Sequence, residues 1–129
     1  LSVQLNSSND VIYADLHWLA RAVTNLINNA CDFALQHIYV SATVNEQHII
    51  ITVEDDGPGI AAENFSKVFS PFFRENNHRN RADKSYGLGL AIVEKVADWH
   101  HGRVYAGKSK QLGGACFTLK IAQQHPSVK

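Results

Sequence analysis

The chain has 129 residues, 45% of them hydrophobic and 19% charged, with 12 basic residues balancing 12 acidic ones. That length serves one domain able to bury a core without disulfide or structural metal, and the composition is that of a soluble globular protein. No apolar run approaches a bilayer span, and a net charge of zero leaves no global field for nucleic acid or anionic lipid, so neither nucleic-acid binding nor direct membrane contact is expected and any anion must be held locally.

In chain order, the first ten residues carry neither the charged nor the apolar region of a secretory leader, and their abrupt start is that expected of a piece of a longer protein. Residues 3–5 and 11–13 offer a short edge strand. Over residues 15–36, Leu16, Leu19, Ala20, Val23, Ile27, Ala30 and Ala34 recur at helical spacing, predicting an amphipathic helix with one buried stripe. Alternation over 38–44 and 49–54 around Asn45-Glu46-Gln47 predicts an antiparallel hairpin. Residues 61–69 read as a short helix, and 70–86 as a polar, basic, aperiodic loop. Helical spacing returns over 89–101 through Leu90, Val93, Val96 and Ala97, with Gly102 placed to end the helix. Residues 103–108 and 115–121 make a second hairpin across Gly113-Gly114, and 123–129 a tail. Cys31 and Cys116 sit among apolar residues in no ligand pattern, as reduced thiols of a cytoplasmic core would. Strands grouped beside helices predict an α+β fold, a two-layer sandwich of a mixed, mostly antiparallel sheet with about three helices on one face.

Asn25, Asn29 and Asp32 fall in a narrow arc opposite the predicted apolar stripe. Asparagine is a poor helix former, so Asn25-Leu26-Ile27-Asn28-Asn29 gives up stability that Gln or Lys would keep. A solvated helix face is one reading. The other is a set of hard oxygen donors for Mg²⁺, which takes one or two protein ligands and completes its shell with phosphates and water.

Asp55-Asp56-Gly57-Pro58-Gly59-Ile60 follows a predicted strand, and Gly57 and Gly59 permit backbone angles and close approaches that a flat ligand could use. A carboxylate at the start of such a turn, Asp55, could accept from the exocyclic amine that distinguishes adenine from guanine. The same residues also suit a plain turn. Gly57-Pro58-Gly59-Ile60-Ala61-Ala62 formally satisfies the dinucleotide fingerprint but lacks its context, because the preceding strand belongs to a hairpin and not to a parallel βαβ unit.

The loop holds Arg74, Arg79, Arg81 and Lys84 against two acids, Glu75 and Asp83, and runs into Gly87-Leu88-Gly89-Leu90 at a helix start. It reads either as a solvated charged loop or as a phosphate site, in which helix N-terminal amides and guanidinium groups close over a triphosphate. Phe69, Phe72 and Phe73 would anchor its beginning.

Together, Asn25-Leu26-Ile27-Asn28-Asn29-Ala30, Asp55-Asp56-Gly57-Pro58-Gly59-Ile60, Phe69-Ser70-Pro71-Phe72-Phe73-Arg74 and Gly87-Leu88-Gly89-Leu90-Ala91-Ile92 resemble, in order and spacing, the N, G1, F and G2 boxes of sensor histidine kinases. The resemblance covers nearly the whole chain and implies a single catalytic and ATP-binding domain, 1–129, of the Bergerat (GHKL) fold. It implies that Asn25 and Asn29 bind Mg²⁺ and phosphate, that Asp55 holds the adenine amine with Phe33 nearby, and that Arg74 reaches the γ-phosphate. Gly57, Gly59 and Ile60 then line the base site. Residues 70–88 become an ATP lid in which Phe72, Arg79, Arg81, Lys84, Gly87, Leu88, Gly89 and Leu90 contact the nucleotide. The implied partners are a separate dimerisation and phosphoacceptor domain within a homodimeric kinase and, indirectly, a response regulator. The implied location is a cytoplasmic domain of an inner-membrane sensor.

The hydrolytic members of the wider group, and its serine-directed kinases, carry a glutamate base where Asn25 stands. Without that carboxylate the domain is expected to position ATP for an acceptor that brings its own chemistry, such as a histidine on another domain. None of the seven histidines here lies in the family's acceptor sequence, and His100 and His101, before Gly102, are expected at the surface or as helix caps. Two positions depart from the family pattern. Asp32 stands where a phosphate-contacting Lys or Arg is usual, and Ser85-Tyr86-Gly87 lacks the first glycine of the usual GxGLGL, changing the lid hinge. These departures keep open a non-catalytic nucleotide-binding module as the alternative.

Overall fold

The computed structural model describes residues 2–7, 14–73 and 88–123. Strand β1 (Ser2–Ser7) leads to helix α1 (Leu16–Phe33), which Asp15 caps by accepting from the Trp18 amide at 3.3 Å. β2 (Ile38–Val44) and β3 (His48–Asp55) follow as the expected hairpin, its turn fixed by Asn45 Oδ1 accepting from the Gln47 and His48 amides at 2.9 and 2.8 Å. Helix α2 (Gly89–Trp99) precedes β4 (Arg103–Lys108) and β5 (Ala115–Ala122).

The strands form one sheet in the order β1-β2-β3-β5-β4, with β1 parallel to β2 and the other pairs antiparallel. β1 is the predicted edge strand, longer than residues 3–5; residues 11–13 lie outside the described residues. On β3 the residues Ile49, Ile51, Val53 and Asp55 are buried, and on β5 Ala115, Phe117, Leu119 and Ile121, alternating with half-buried Thr52, Glu54, Thr118 and Lys120. The buried face packs with both helices into a single core, each large aliphatic side chain contributing about 1.5–3 kcal/mol. The helices run antiparallel: Trp18, near the start of α1, meets Trp99, the end of α2, edge to face at 5.3 Å.

Several expectations change on contact with this packing. The buried stripe of α1 is Leu19, Ala22, Leu26 and Ala30, while Leu16 and Ala20 are exposed, because α1 packs against α2 as well as the sheet and its buried arc turns toward that second neighbour. The predicted helix over 61–69 is instead two 3-10 turns, Ala62–Asn64 and Lys67–Phe69, that bury Val68 and Phe69. Two α-helices therefore stand among the described residues. At the end of α2 the left-handed residue is His101, φ 53°, not Gly102. The Gly102 amide reaches back to Ala97 O at 2.9 Å and His101 to Asp98 O at 3.2 Å, the paired bonds of a Schellman ending. Gly102 is needed for another reason, since a Cβ there would run into the Lys120 carbonyl. Gln123, expected to open a loose tail, is buried and its amide donates to Gln47 O at 2.8 Å.

Candidate functional site

β3 carries the chain into the site, and its two-residue alternation dictates which carboxylate faces inward. Glu54 turns to the half-buried face and Asp55 to the core side, where it is 1% exposed. A buried carboxylate needs donors. Asp55 Oδ1 accepts from the Gly57 amide at 2.8 Å and the Ala115 amide at 3.2 Å, while its backbone oxygen accepts from Gly114 N at 3.1 Å. The carboxylate is thus oriented by its own turn and by the start of β5.

The turn beyond it is built for close approach. A Cβ on Gly57 would strike the Phe33 carbonyl, and one on Gly114 would strike Asp55 itself, so both glycines permit backbone to lie on backbone. Gly59, at φ 78°, occupies the left-handed region, and Ile60 is half-buried against the core. Asp56 turns to the other side and gathers the residues after α1: Oδ1 accepts from Leu35 N at 2.8 Å and Gln36 N at 3.1 Å, and Oδ2 lies 3.3 Å from His37 Nδ1. Burial would raise its pKa, but the Gln36, His37 and Leu35 amides, aided by the His37 ring, outweigh that and hold the carboxyl well below the usual carboxylate range.

The asparagines occupy the flank of α1. Asn25 and Asn29 are half-buried, one helical turn apart, and Asn25 Nδ2 donates to Gly89 O at 3.2 Å at the start of α2. At Asn25 the arc therefore meets α2, and with Asn25, Asn29 and Asp32 all half-buried it is not a fully solvated face. Donation by Nδ2 orients the Asn25 amide and leaves its oxygen as the ligand end, which suits a hard cation such as Mg²⁺. Asp32 is half-buried further along the same helix. Gly89 and Leu90 are half-buried in the first turn of α2, and Leu88 before them is exposed.

Of the residues expected in the site, Asn25 meets Gly89 directly, and Gly57 joins Asp55 to Phe33. Phe72 is 67% exposed with φ 65°, a backbone conformation unusual for a bulky side chain. Arg74, Arg79, Arg81, Lys84 and Gly87, and with them most of the expected lid, lie outside the described residues. The Gly113-Gly114 pair was legible as a hairpin turn but not as a support for Asp55. The signal was there in the glycine doublet before an alternating strand, yet only the pairing of β3 with β5 gives it that meaning.

Other expectations are corrected. Of the two readings of His100 the structure takes the capping one and not the surface one: it is the C-cap of α2, buried, with Nδ1 donating to Val96 O at 2.8 Å and its carbonyl accepting from Ala122 N of β5 at 3.1 Å. Both cysteines are free, but Cys31 is exposed rather than in the core. Cys116 is half-buried, and burial, then the negative charge of Glu54, raises its thiol pKa, so it stays protonated.

With this geometry in view, known proteins supply a frame. The model of the family described as histidine kinase-, DNA gyrase B-, and HSP90-like ATPase matches residues 14–125. The chain is similar to the sensor histidine kinase CpxA of Escherichia coli K12, 40% identical over 103 residues, which is 80% of this chain and 22% of that protein. It is also similar to the sensor protein RstB of the same organism, 39% identical over 111 residues, 86% of this chain and 25% of that one. The chain thus spans about a quarter of the length of these relatives. Among solved structures, the ATP binding domain of PrrB from Mycobacterium tuberculosis aligns with a TM-score of 0.72 at 28% identity, covering 97% of this chain and 82% of that one. The mycobacterial sensor histidine kinase MprB shares the fold, with a TM-score of 0.74 at 24% identity over 95% of this chain and 84% of that one. The two-layer sandwich, the matched span and these likenesses agree: the chain belongs to the histidine kinase-, DNA gyrase B-, and HSP90-like ATPase family.

Proposed function

We propose that this chain binds Mg-ATP and transfers its γ-phosphoryl group to a histidine on a separate dimerisation and phosphoacceptor domain, as the catalytic domain of a two-component sensor kinase. The observation that carries this reading is the Asn25 to Gly89 hydrogen bond, which holds a side-chain amide, not a carboxylate, beside the start of α2. An amide can bind a metal but cannot take a proton from water. The attacking nitrogen then has to come from an imidazole elsewhere; the new N–P bond forms as the bond from the γ-phosphorus to the bridging oxygen breaks, and ADP leaves.

In this reading Asn25 and Asn29 hold Mg²⁺ and phosphate oxygens. Asp55 receives the adenine amine beside Phe33, Gly57, Gly59 and Ile60. Phe72, Leu88, Gly89 and Leu90 border the nucleotide, while Arg74, Arg79, Arg81, Lys84 and Gly87 supply the lid. A response regulator is the downstream partner, and the parent is a membrane sensor with this domain in the cytoplasm. The names of the relatives support the assignment.

The test adds the authentic phosphoacceptor domain and radiolabelled ATP. Acid-labile label on the histidine is expected, and its absence despite ATP binding would favour the alternative of a nucleotide-binding regulatory module, a reading encouraged by the half-buried acid Asp32 on the asparagine helix. For the pocket, Asn29→Asp and Asp55→Asn should each weaken Mg-ATP binding; unchanged affinity in both would sink the site assignment.

A further inference from the structure

The second aspartate of the Asp55-Asp56 pair does work that the first cannot. α1 ends at Phe33 with no glycine cap and no basic residue in its last turn, and Ala34 leaves it in extended conformation. What fixes the path beyond is Asp56. Its two oxygens collect the Leu35 and Gln36 amides at 2.8 and 3.1 Å and face His37 Nδ1 at 3.3 Å, while its own amide donates to His37 O at 3.3 Å. One residue on, Gly57 lies on the Phe33 carbonyl and donates to Asp55 Oδ1. The end of α1 and the carboxylate at the end of β3 are therefore joined through two consecutive residues of one turn.

We infer that Asp56 is a positioning residue for base recognition: by binding residues 35–37 to the turn, its carboxylate sets the separation between Phe33 and Asp55 and so the placement of Asp55 against the exocyclic amine of the base. The inference rests on the nucleotide reading above, with Asp55 as the group that meets the exocyclic amine. Both Asp56 oxygens are taken up by backbone and imidazole donors, which excludes it from holding metal or base and leaves it to act only through its neighbours. Preorganisation of this kind raises affinity by removing the ordering cost from the binding step.

The test compares ATP with inosine triphosphate, which has an oxygen where adenine carries its amine, by calorimetric titration of the 129-residue chain in Mg²⁺. Asp56→Ala should weaken ATP on the order of tenfold while leaving inosine triphosphate nearly unchanged, so that the preference between the two collapses. Asp56→Asn, which keeps the shape and one acceptor, should recover part of that preference, and it carries the test if the alanine variant does not fold. An unchanged preference in a folded variant, or an equal loss for both nucleotides, would overturn the inference, since general loosening does not discriminate between bases. The two readings fail separately. A wild-type chain that binds no ATP removes the nucleotide assignment and this inference with it, whereas a wild type that binds ATP and loses it in Asp55→Asn, beside an indifferent Asp56→Ala, removes only the role of Asp56.

Discussion

Asn25 Nδ2 donates to the carbonyl oxygen of Gly89 at 3.2 Å, joining the middle of α1 to the first turn of α2 across 64 residues of sequence. The bond satisfies a half-buried amide and fixes the spacing of the two helices where the phosphates are proposed to lie. Asn25→Asp keeps the size but removes the donor and sets a carboxylate against a carbonyl. Urea titration should show a loss of about 1–3 kcal/mol, with weaker Mg-ATP binding alongside. A variant with an unchanged midpoint would mean that the bond contributes nothing net.

Gly114 is the second point of sensitivity. A Cβ there meets the Asp55 carbonyl, the Gly57 amide and Asp55 Oδ1; the first two are backbone, and the third is a buried side-chain atom pinned by the Gly57 and Ala115 amides. Gly114→Ala should therefore cost about 1–3 kcal/mol or more, as overpacking does. Gly107 is the control, since a Cβ there meets nothing within 4 Å. Gly107→Ala should stay within about 0.5 kcal/mol by the same denaturant measurement.

Asp56 gives the protein a defined acid sensitivity. Its folded pKa lies below the ordinary 3.8: burial raises it, and the Gln36, His37 and Leu35 donors more than reverse that. The unfolded chain therefore takes up the proton first. The contribution of Asp56 to stability is complete above that ordinary value and is lost as pH falls from it toward the lower folded pKa. Asp56→Asn should be less stable than wild type at about pH 6, with the gap narrowing toward about pH 3. Unfolding curves for both proteins across that range check the sign, and a constant gap would place the effect in shape and not in charge.

His101 holds a left-handed conformation, φ 53°, that a side chain disfavours, and it is exposed, so nothing is lost by removing its ring from a core. His101→Gly should raise stability by about 0.5–1 kcal/mol, the strain relieved exceeding the entropy added to the unfolded chain. Thermal unfolding at fixed pH measures it directly.

What the sequence made legible was whatever depends on local pattern. The β2–β3 hairpin, the second hairpin, the extents of α1 and α2 to within a few residues, and the strand-end turn at Asp55 all follow from periodicity and turn chemistry. The short helix over 61–69 failed because nine residues carry too little spacing to separate an α-helix from two 3-10 turns. The buried arc of α1 was turned because periodicity locates an apolar stripe without saying that a second helix lies to one side of it. The supports of Asp55 and the partners of Asp56 were hidden for a plainer reason: Ala115 N and Leu35 N are backbone groups, and a backbone donor has no signature in a side-chain sequence. His100 was legible as a surface residue or a cap; it is a cap, but a buried one, and polarity alone cannot show that Val96 O awaits its ring.

The amide that steadies Asp55 from β5 lies 60 residues farther along the chain than the carboxylate it serves. During synthesis the ribosome therefore releases the asparagine helix and the aspartate turn well before it releases the strand that completes the middle of the sheet. Until Ala115 arrives beside β3, the inward carboxylate lacks one of its donors and the sheet lacks its fourth and fifth strands. On the proposed nucleotide reading, a nascent or truncated chain ending before β5 has the motif residues without the amide that completes the support of Asp55.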